Sequence, residues 1–101
     1  MNLFKSLFIG HLGQDATFNE EKKVINFSLA IDQSYKKENG EKVEKTEWVQ
    51  CAYWTSSDAV LQFLKKGSAV YVEGKPGINA YINKAGEITS NLTLKVDHLS
   101  F

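Results

Sequence analysis

Residues Val24 to Asp32 alternate without a break: Ile25, Phe27, Leu29 and Ile31 share one parity, and Val24, Asn26, Ser28, Ala30 and Asp32 share the other. Successive side chains of an extended chain leave by opposite faces, so this run is a half-buried strand with its apolar parity toward a core. The run Thr46-Glu47-Trp48-Val49-Gln50-Cys51-Ala52-Tyr53-Trp54 follows the same rule with different content. Val49, Cys51 and Tyr53 take the core parity, which leaves Trp48, Gln50, Ala52 and Trp54 on the outer face. Indoles turned to water with small or polar residues between them form a platform for flat partners such as sugars or bases. The alternative is a second layer that covers them, because tryptophan is highly buried on average.

Other segments complete the pattern. Leu3 to Ile9 reads as a further strand. Ser34 to Lys42 is charged and contains Asn39-Gly40, a hairpin-turn signal because both residues tolerate positive φ. Ser56 to Gly67 carries helix punctuation: a serine cap, Asp58 in the first turn, Lys65 and Lys66 in the last, and Gly67 beyond. This predicts one short amphipathic helix. Ser68 to Glu73 is a strand with Val70 and Val72 inward and Tyr71 on the other parity, closed by Gly74-Lys75-Pro76-Gly77. Ile78–Asn83 and Ile88–Val96 flank the turn Lys84-Ala85-Gly86-Glu87, with Leu92, Leu94 and Val96 as the core parity of the last strand. Gly10 and Gly13 bracket a bend in the first strand, and Gly74 marks a bend where a Cβ would clash.

About five long strands with one short helix between the third and fourth is the element order of the OB-fold, an all-β five-stranded Greek-key barrel, although order alone does not distinguish it from other small barrels. At 101 residues and 11.4 kDa the chain is one domain, residues 1–101, without repeats or linkers.

Formal net charge is zero, and all 12 basic residues are lysine. Arginine makes the commonest bidentate contact to guanine, whereas lysine is a mobile point charge for phosphates, so nucleic-acid binding by such a chain is expected to be sequence-tolerant. Cys51 is the only cysteine and sits at core parity; it is read as a small buried apolar residue suited to a reducing compartment. The start, Met1 to His11, is interrupted by Lys5 and Ser6 and lacks the length of a signal-peptide core. No stretch approaches the ~20 apolar residues of a membrane-spanning helix, and the expected location is the cytoplasm.

Reactive chemistry is not expected. His11 and His98 are isolated, one cysteine makes no zinc knuckle, and Asp15, Asp32 and Asp58 sit at element ends where turns and caps are the default. The chain is therefore read as a non-enzyme with no catalytic residues, metal, cofactor or small-molecule substrate.

Three separated motifs resemble signatures of the bacterial single-stranded DNA-binding protein family: Ile9-Gly10-His11-Leu12-Gly13-Gln14-Asp15, Thr46-Glu47-Trp48, and Leu64-Lys65-Lys66-Gly67-Ser68-Ala69-Val70-Tyr71-Val72-Glu73-Gly74. They occur in that family's order and approximate spacing, and the resemblance covers essentially the whole chain as its DNA-binding domain. It implies a homo-oligomeric OB domain, usually a tetramer, that coats single-stranded DNA in replication, repair and recombination.

Carried over residue by residue, the stacking aromatics fall on Tyr35, Trp48, Trp54 and Tyr81. Tyr35 and Tyr81 stand where relatives often have tryptophan, and Trp54 where many have phenylalanine. Tyr71 is a further candidate, with core packing as its alternative. Phosphate contacts are assigned first to Lys36, Lys37, Lys42 and Lys45, then to Lys75, Lys84, Lys22 and Lys23, each with a plain solvated-surface role as its alternative. Glu38, Glu41, Glu44 and Glu47 dilute the hairpin's positive charge, which implies weaker or more salt-sensitive binding than a basic relative would show. The family commonly continues into a Gly/Pro/Gln-rich tail with an acidic tip that recruits partners. Asp97-His98-Leu99-Ser100-Phe101 is read instead as the end of the last strand, so recruitment through a tail is not expected of these residues. A competing reading is an OB-fold replication accessory resembling primosomal replication protein N, dimeric and acting mainly through protein contacts.

Overall fold

A computed structural model describes residues 3–101; Met1 and Asn2, part of the leader reading, lie outside the described residues. The strands are β1 (Ser6–Leu12), β2 (Thr17–Asn19), β3 (Val24–Asp32), β4 (Tyr35–Lys36), β5 (Lys42–Val43), β6 (Thr46–Trp54), β7 (Ala69–Ile82) and β8 (Ile88–Ser100). They hydrogen-bond in the order β1-β7-β8-β6-β3-β2, and β1 returns to β3 through His11↔Ala30 and Leu12↔Leu29. That return closes the sheet into a barrel of five long strands, the expected OB architecture. All pairings are antiparallel except β6 with β8.

Period-two alternation holds where it was read. Ile25, Phe27 and Leu29 of β3, Val49 and Cys51 of β6, Val70 and Val72 of β7, and Leu94 and Val96 of β8 are buried in one core, with Ile31, Tyr53 and Leu92 packed against it. Val24 is also buried despite its outward parity, since in the ladder it lies between Asn19 and Trp54. Closure requires a glycine in β1: a Cβ on Gly10 would stand 2.5 Å from the Ala30 carbonyl oxygen. Burial pushes the Cys51 thiol up to about 12, so it stays protonated at neutral pH. The thiolate is the nucleophile, and a thiol reagent at pH 7 is therefore expected to label Cys51 slowly in the folded chain and rapidly once denaturant opens the barrel.

Three expectations need correction. The first strand runs Ser6–Leu12, placing Gly10 inside the strand. The fourth strand does not end at Gly74 but continues to Ile82. A Cβ at Gly74 would meet the Lys95 carbonyl oxygen at 2.0 Å, and the chain absorbs that approach with a bulge: Glu73 pairs with His98 and Gly74 with Val96, skipping Asp97. Pro76 is tolerated because the pairing of β1 with β7 stops at Ser6↔Gly74, leaving that edge open beyond it.

The third correction concerns Ser56–Gly67, which is not an amphipathic α-helix but a 3₁₀ segment over Ala59–Phe63, with no side-chain cap at Asp58. Its backbone groups are taken elsewhere. The Leu64 carbonyl accepts the Ala16 N–H at 2.9 Å, the Gly67 N–H donates to the Leu12 carbonyl at 2.8 Å, and the Lys66 N–H donates to the Asp15 carboxylate at 2.8 Å. These bonds tie the segment to the β1–β2 connection and stop an i→i−4 ladder from forming. Leu64 is driven into the core as a plug. Among the described residues no helix is long and apolar enough to cross a membrane.

Two hairpins project from the barrel. The β4–β5 turn uses Gly40 at φ +85°, and of Asn39-Gly40 only the glycine adopts positive φ. In the β7–β8 turn the Asn83 side-chain oxygen accepts the N–H groups of Ala85 and Glu87, and Gly86 takes φ +80°.

Candidate nucleic-acid interface

The outer face of β6 carries Trp48 and Trp54, 49% and 53% exposed, with Gln50 exposed between them. Among the described residues no second layer covers the indoles. Opposite them on β3 stand Ala30, Ser28, Asn26 and Val24. The Ser28 hydroxyl donates to Gln50 Oε1 at 2.9 Å, which fixes the amide in the middle of the face. Trp48 is seated on backbone: a Cβ on Gly13 would lie 2.5 Å from Trp48 Cζ3, so this glycine leaves room for the ring. Gly13→Ala is expected to lever Trp48 off that seat and to weaken oligonucleotide binding by part of the ~1–3 kcal/mol that a stacked base supplies, read as a lower affinity with a shifted tryptophan emission.

Two depressions frame the platform. A groove of about 520 Å³ runs beside Trp54 and is lined by Asn26, Ser28 and Gln50 on one side and by Lys75, Thr93 and Lys95 on the other. A second, of about 400 Å³, joins Trp48 to Ile78, Ser90 and Asn91 at the root of the β7–β8 hairpin. Tyr81, 43% exposed, pairs with Thr89 farther along that hairpin, on the same strand parity as Lys75. Tyr35, 54% exposed, lies on β4 opposite Val43. The β4–β5 hairpin continues the β3–β6 ladder through Asp32↔Thr46 and the Gln33 N–H to the Lys45 carbonyl. Asp32 anchors its root, accepting the Ser34 hydroxyl at 2.6 Å and the Ser34 N–H at 2.9 Å, and these bonds hold its carboxyl below the usual range. Ser34 Oγ in turn accepts the Lys45 N–H at 3.2 Å. Tyr35 and Tyr81 thus lie exposed on the two hairpins that flank the β3–β6 ladder and the second groove.

Tyr71 is not brought to this face. It is half-buried between Ile9 of β1 and Ser100 of β8, its hydroxyl donates to the Glu73 carboxylate, and its ring presents an edge to His98. Glu73 also pairs with Lys5 at 3.2 Å. That hydroxyl bond raises the Tyr71 pKa and lowers that of Glu73.

Of the hairpin lysines, Lys37 pairs with Glu41 and Lys42 with Glu44, both at 3.9 Å, and Lys45 pairs with Glu47 at 3.2 Å. Exposed pairs of this kind are weak. Lys36 lies across the ladder from Lys42. Lys84 occupies the β7–β8 turn, and Lys22 and Lys23 the turn before β3, where Lys23 takes φ 55°. Lys95 was not assigned from the sequence. Its Nζ lies 5.5 Å from the Trp54 ring centroid. The available signal was its outward parity between Leu94 and Val96, but its neighbour depends on the β6–β8 register. Among the described residues no group of three or more His, Cys, Asp or Glu is placed to hold a metal ion.

The closed barrel and its half-exposed indoles define a small OB-fold β-barrel module with an aromatic outer wall. The chain belongs to the single-strand binding protein family, whose pattern matches residues 3–101. It is 38% identical over 90 residues to single-stranded DNA-binding protein 1 of Chlorobaculum tepidum, covering 84% of this chain and 56% of that protein. The chain thus spans little more than half the length of such curated relatives. Its fold is similar to the small single-stranded DNA-binding protein of Streptomyces coelicolor, with TM-score 0.79 and 14% identity over 99% of this chain and 94% of that one. It is also similar to the Plasmodium falciparum SSB in its complex with ssDNA, with TM-score 0.68 and 24% identity over 99% and 93% of the two chains.

Proposed function

We propose that this chain binds single-stranded DNA without sequence preference, stacking bases on Trp48, Trp54, Tyr35 and Tyr81 and meeting the backbone with lysines. The observation that carries the reading is the pair of half-exposed indoles on one face of β6. Every base has a π-face, so stacking tolerates any sequence, while paired bases in a duplex keep those faces covered. Family membership and the names of the relatives support the same ligand, and the resemblance to that family implies a part in replication, repair and recombination. In this reading the chain acts as one domain, in the cytoplasm, and catalyses nothing.

The test is fluorescence anisotropy of labelled oligo-dT at low salt, with unlabelled single strand or duplex of equal length as competitor. Saturable binding displaced by single strand and not by duplex is expected. Equal displacement by duplex, or no binding, overturns the reading.

Assembly into a homo-oligomer, a tetramer by family habit, is supported at β1. Leu7 and Ile9 are exposed on its outer face, and apart from the contacts of His11 and Leu12 with β3 it pairs along one edge only. Open strand edges with apolar side chains recruit further chains. Sedimentation is expected to give a mass several times 11.4 kDa, and a monomer at micromolar concentration contradicts it.

A further inference from the structure

Lys75 and Lys95 face each other directly across the β7–β8 ladder, on the outer wall. Like charges so placed are unfavourable by themselves. Neither makes an ion pair among the described residues. Both line the groove beside Trp54, and Asp15, the one carboxylate on that lining, is engaged with the Lys66 N–H at 2.8 Å and lies 3.9 Å from Lys65 Nζ. The groove therefore has two ammonium groups without an anion, and one of them, Lys95, lies over the indole where a base would stack.

We propose that Trp54, Lys75 and Lys95 form a one-nucleotide subsite in which Lys95 is a movable cap. Its ammonium rests over the indole in the free chain and turns to a backbone phosphate when a base takes the ring. This rests on the single-stranded DNA reading and adds to it a residue and an order of events. The exchange is balanced: a cation over an exposed ring is worth about a two- to fivefold factor in an equilibrium, which the incoming base must overcome. The released ammonium, on a flexible four-carbon stem, then gains a phosphate contact that Lys75 shares.

Lys95→Gln removes the competitor and the phosphate contact together, and salt separates the two. Each phosphate contact adds about 0.7 to the slope of log affinity against log salt for a single strand, so its benefit fades as salt rises, whereas the cap's cost persists. The experiment is oligo-dT anisotropy on the full chain, Lys95→Gln and Lys75→Gln over a salt series. Lys95→Gln is expected to bind more weakly than the natural chain at low salt and about two- to fivefold more tightly at high salt, so that the two lines cross. Lys75→Gln is expected to lie below the natural chain and converge with it at high salt. A second readout is the NMR position of the Lys95 side-chain methylene protons next to the ammonium, expected to be shifted upfield by the indole in the free chain and released at saturation with oligo-dT.

A Lys95→Gln line that never crosses, or methylene protons that hold one position free and bound, overturns the cap while leaving single-stranded DNA binding intact. A natural chain that fails to bind oligo-dT at any salt overturns both.

Discussion

Alanine at both Trp48 and Trp54 is expected to remove most of the affinity for oligo-dT while leaving the unfolding midpoint close to that of the natural chain. Each stacked base is worth ~1–3 kcal/mol by alanine substitution, so losing both rings costs about 2–6 kcal/mol, a drop of at least roughly thirtyfold. The fold is spared because both rings stand outside the core, which is built from the opposite parity of β6, Val49 and Cys51. Val24, beside Trp54 in the ladder, gains some exposure, a minor term. Anisotropy with labelled oligo-dT gives the affinity, and thermal unfolding by circular dichroism gives the midpoint. Retained affinity with both rings absent would move the binding site off this face.

Leu64→Ala acts on the other side of the balance between fold and site. Leu64 is fully buried at the end of the 3₁₀ segment, with Val60 and Leu61 packed against the same core. Truncating a buried leucine costs ~2–5 kcal/mol, the larger values applying where surroundings cannot collapse into the cavity. The segment's hydrogen bonds to Leu12, Asp15 and Ala16 hold its backbone in place and oppose such a collapse. A lower denaturant midpoint with an unchanged slope is the expected signature. Oligo-dT affinity of the folded fraction should be unaltered. A loss below about 1 kcal/mol would mean that Leu64 is not the plug of the barrel.

That residue also shows where sequence reading succeeds and fails. Parity is a local rule, so the inward set Ile25, Phe27, Leu29, Val49 and Cys51 and the outward indoles were legible from their own strands. Gly40 and Gly86 were legible for a similar reason, since a tight turn needs positive φ at the residue itself. Ser56–Gly67 carried local helix punctuation, yet the Lys66 N–H is taken by Asp15, 51 positions away in the chain. No spacing within the segment reports that competitor. Gly74 was read correctly as a point of close approach and wrongly as a strand end. What it approaches is the Lys95 carbonyl on another strand, and a bulge serves as well as a stop.

The candidate site divides along the same line. Trp48 and Trp54 follow from parity within one strand. Lys95 over Trp54 needs the parallel register of β8 on β6, which no local pattern contains. Tyr71 has the same outward parity as Tyr81, and only the order of strands around the barrel sends it to the β1 side, against Ile9.

The most direct measurement is intrinsic tryptophan emission during titration with unlabelled oligo-dT, run beside anisotropy of the labelled strand. Stacking predicts saturable quenching that tracks binding and is reversed by added salt, and Trp48→Phe and Trp54→Phe should each remove part of it. Full binding by anisotropy with tryptophan emission unchanged would contradict the claim that unpaired bases sit on these two rings.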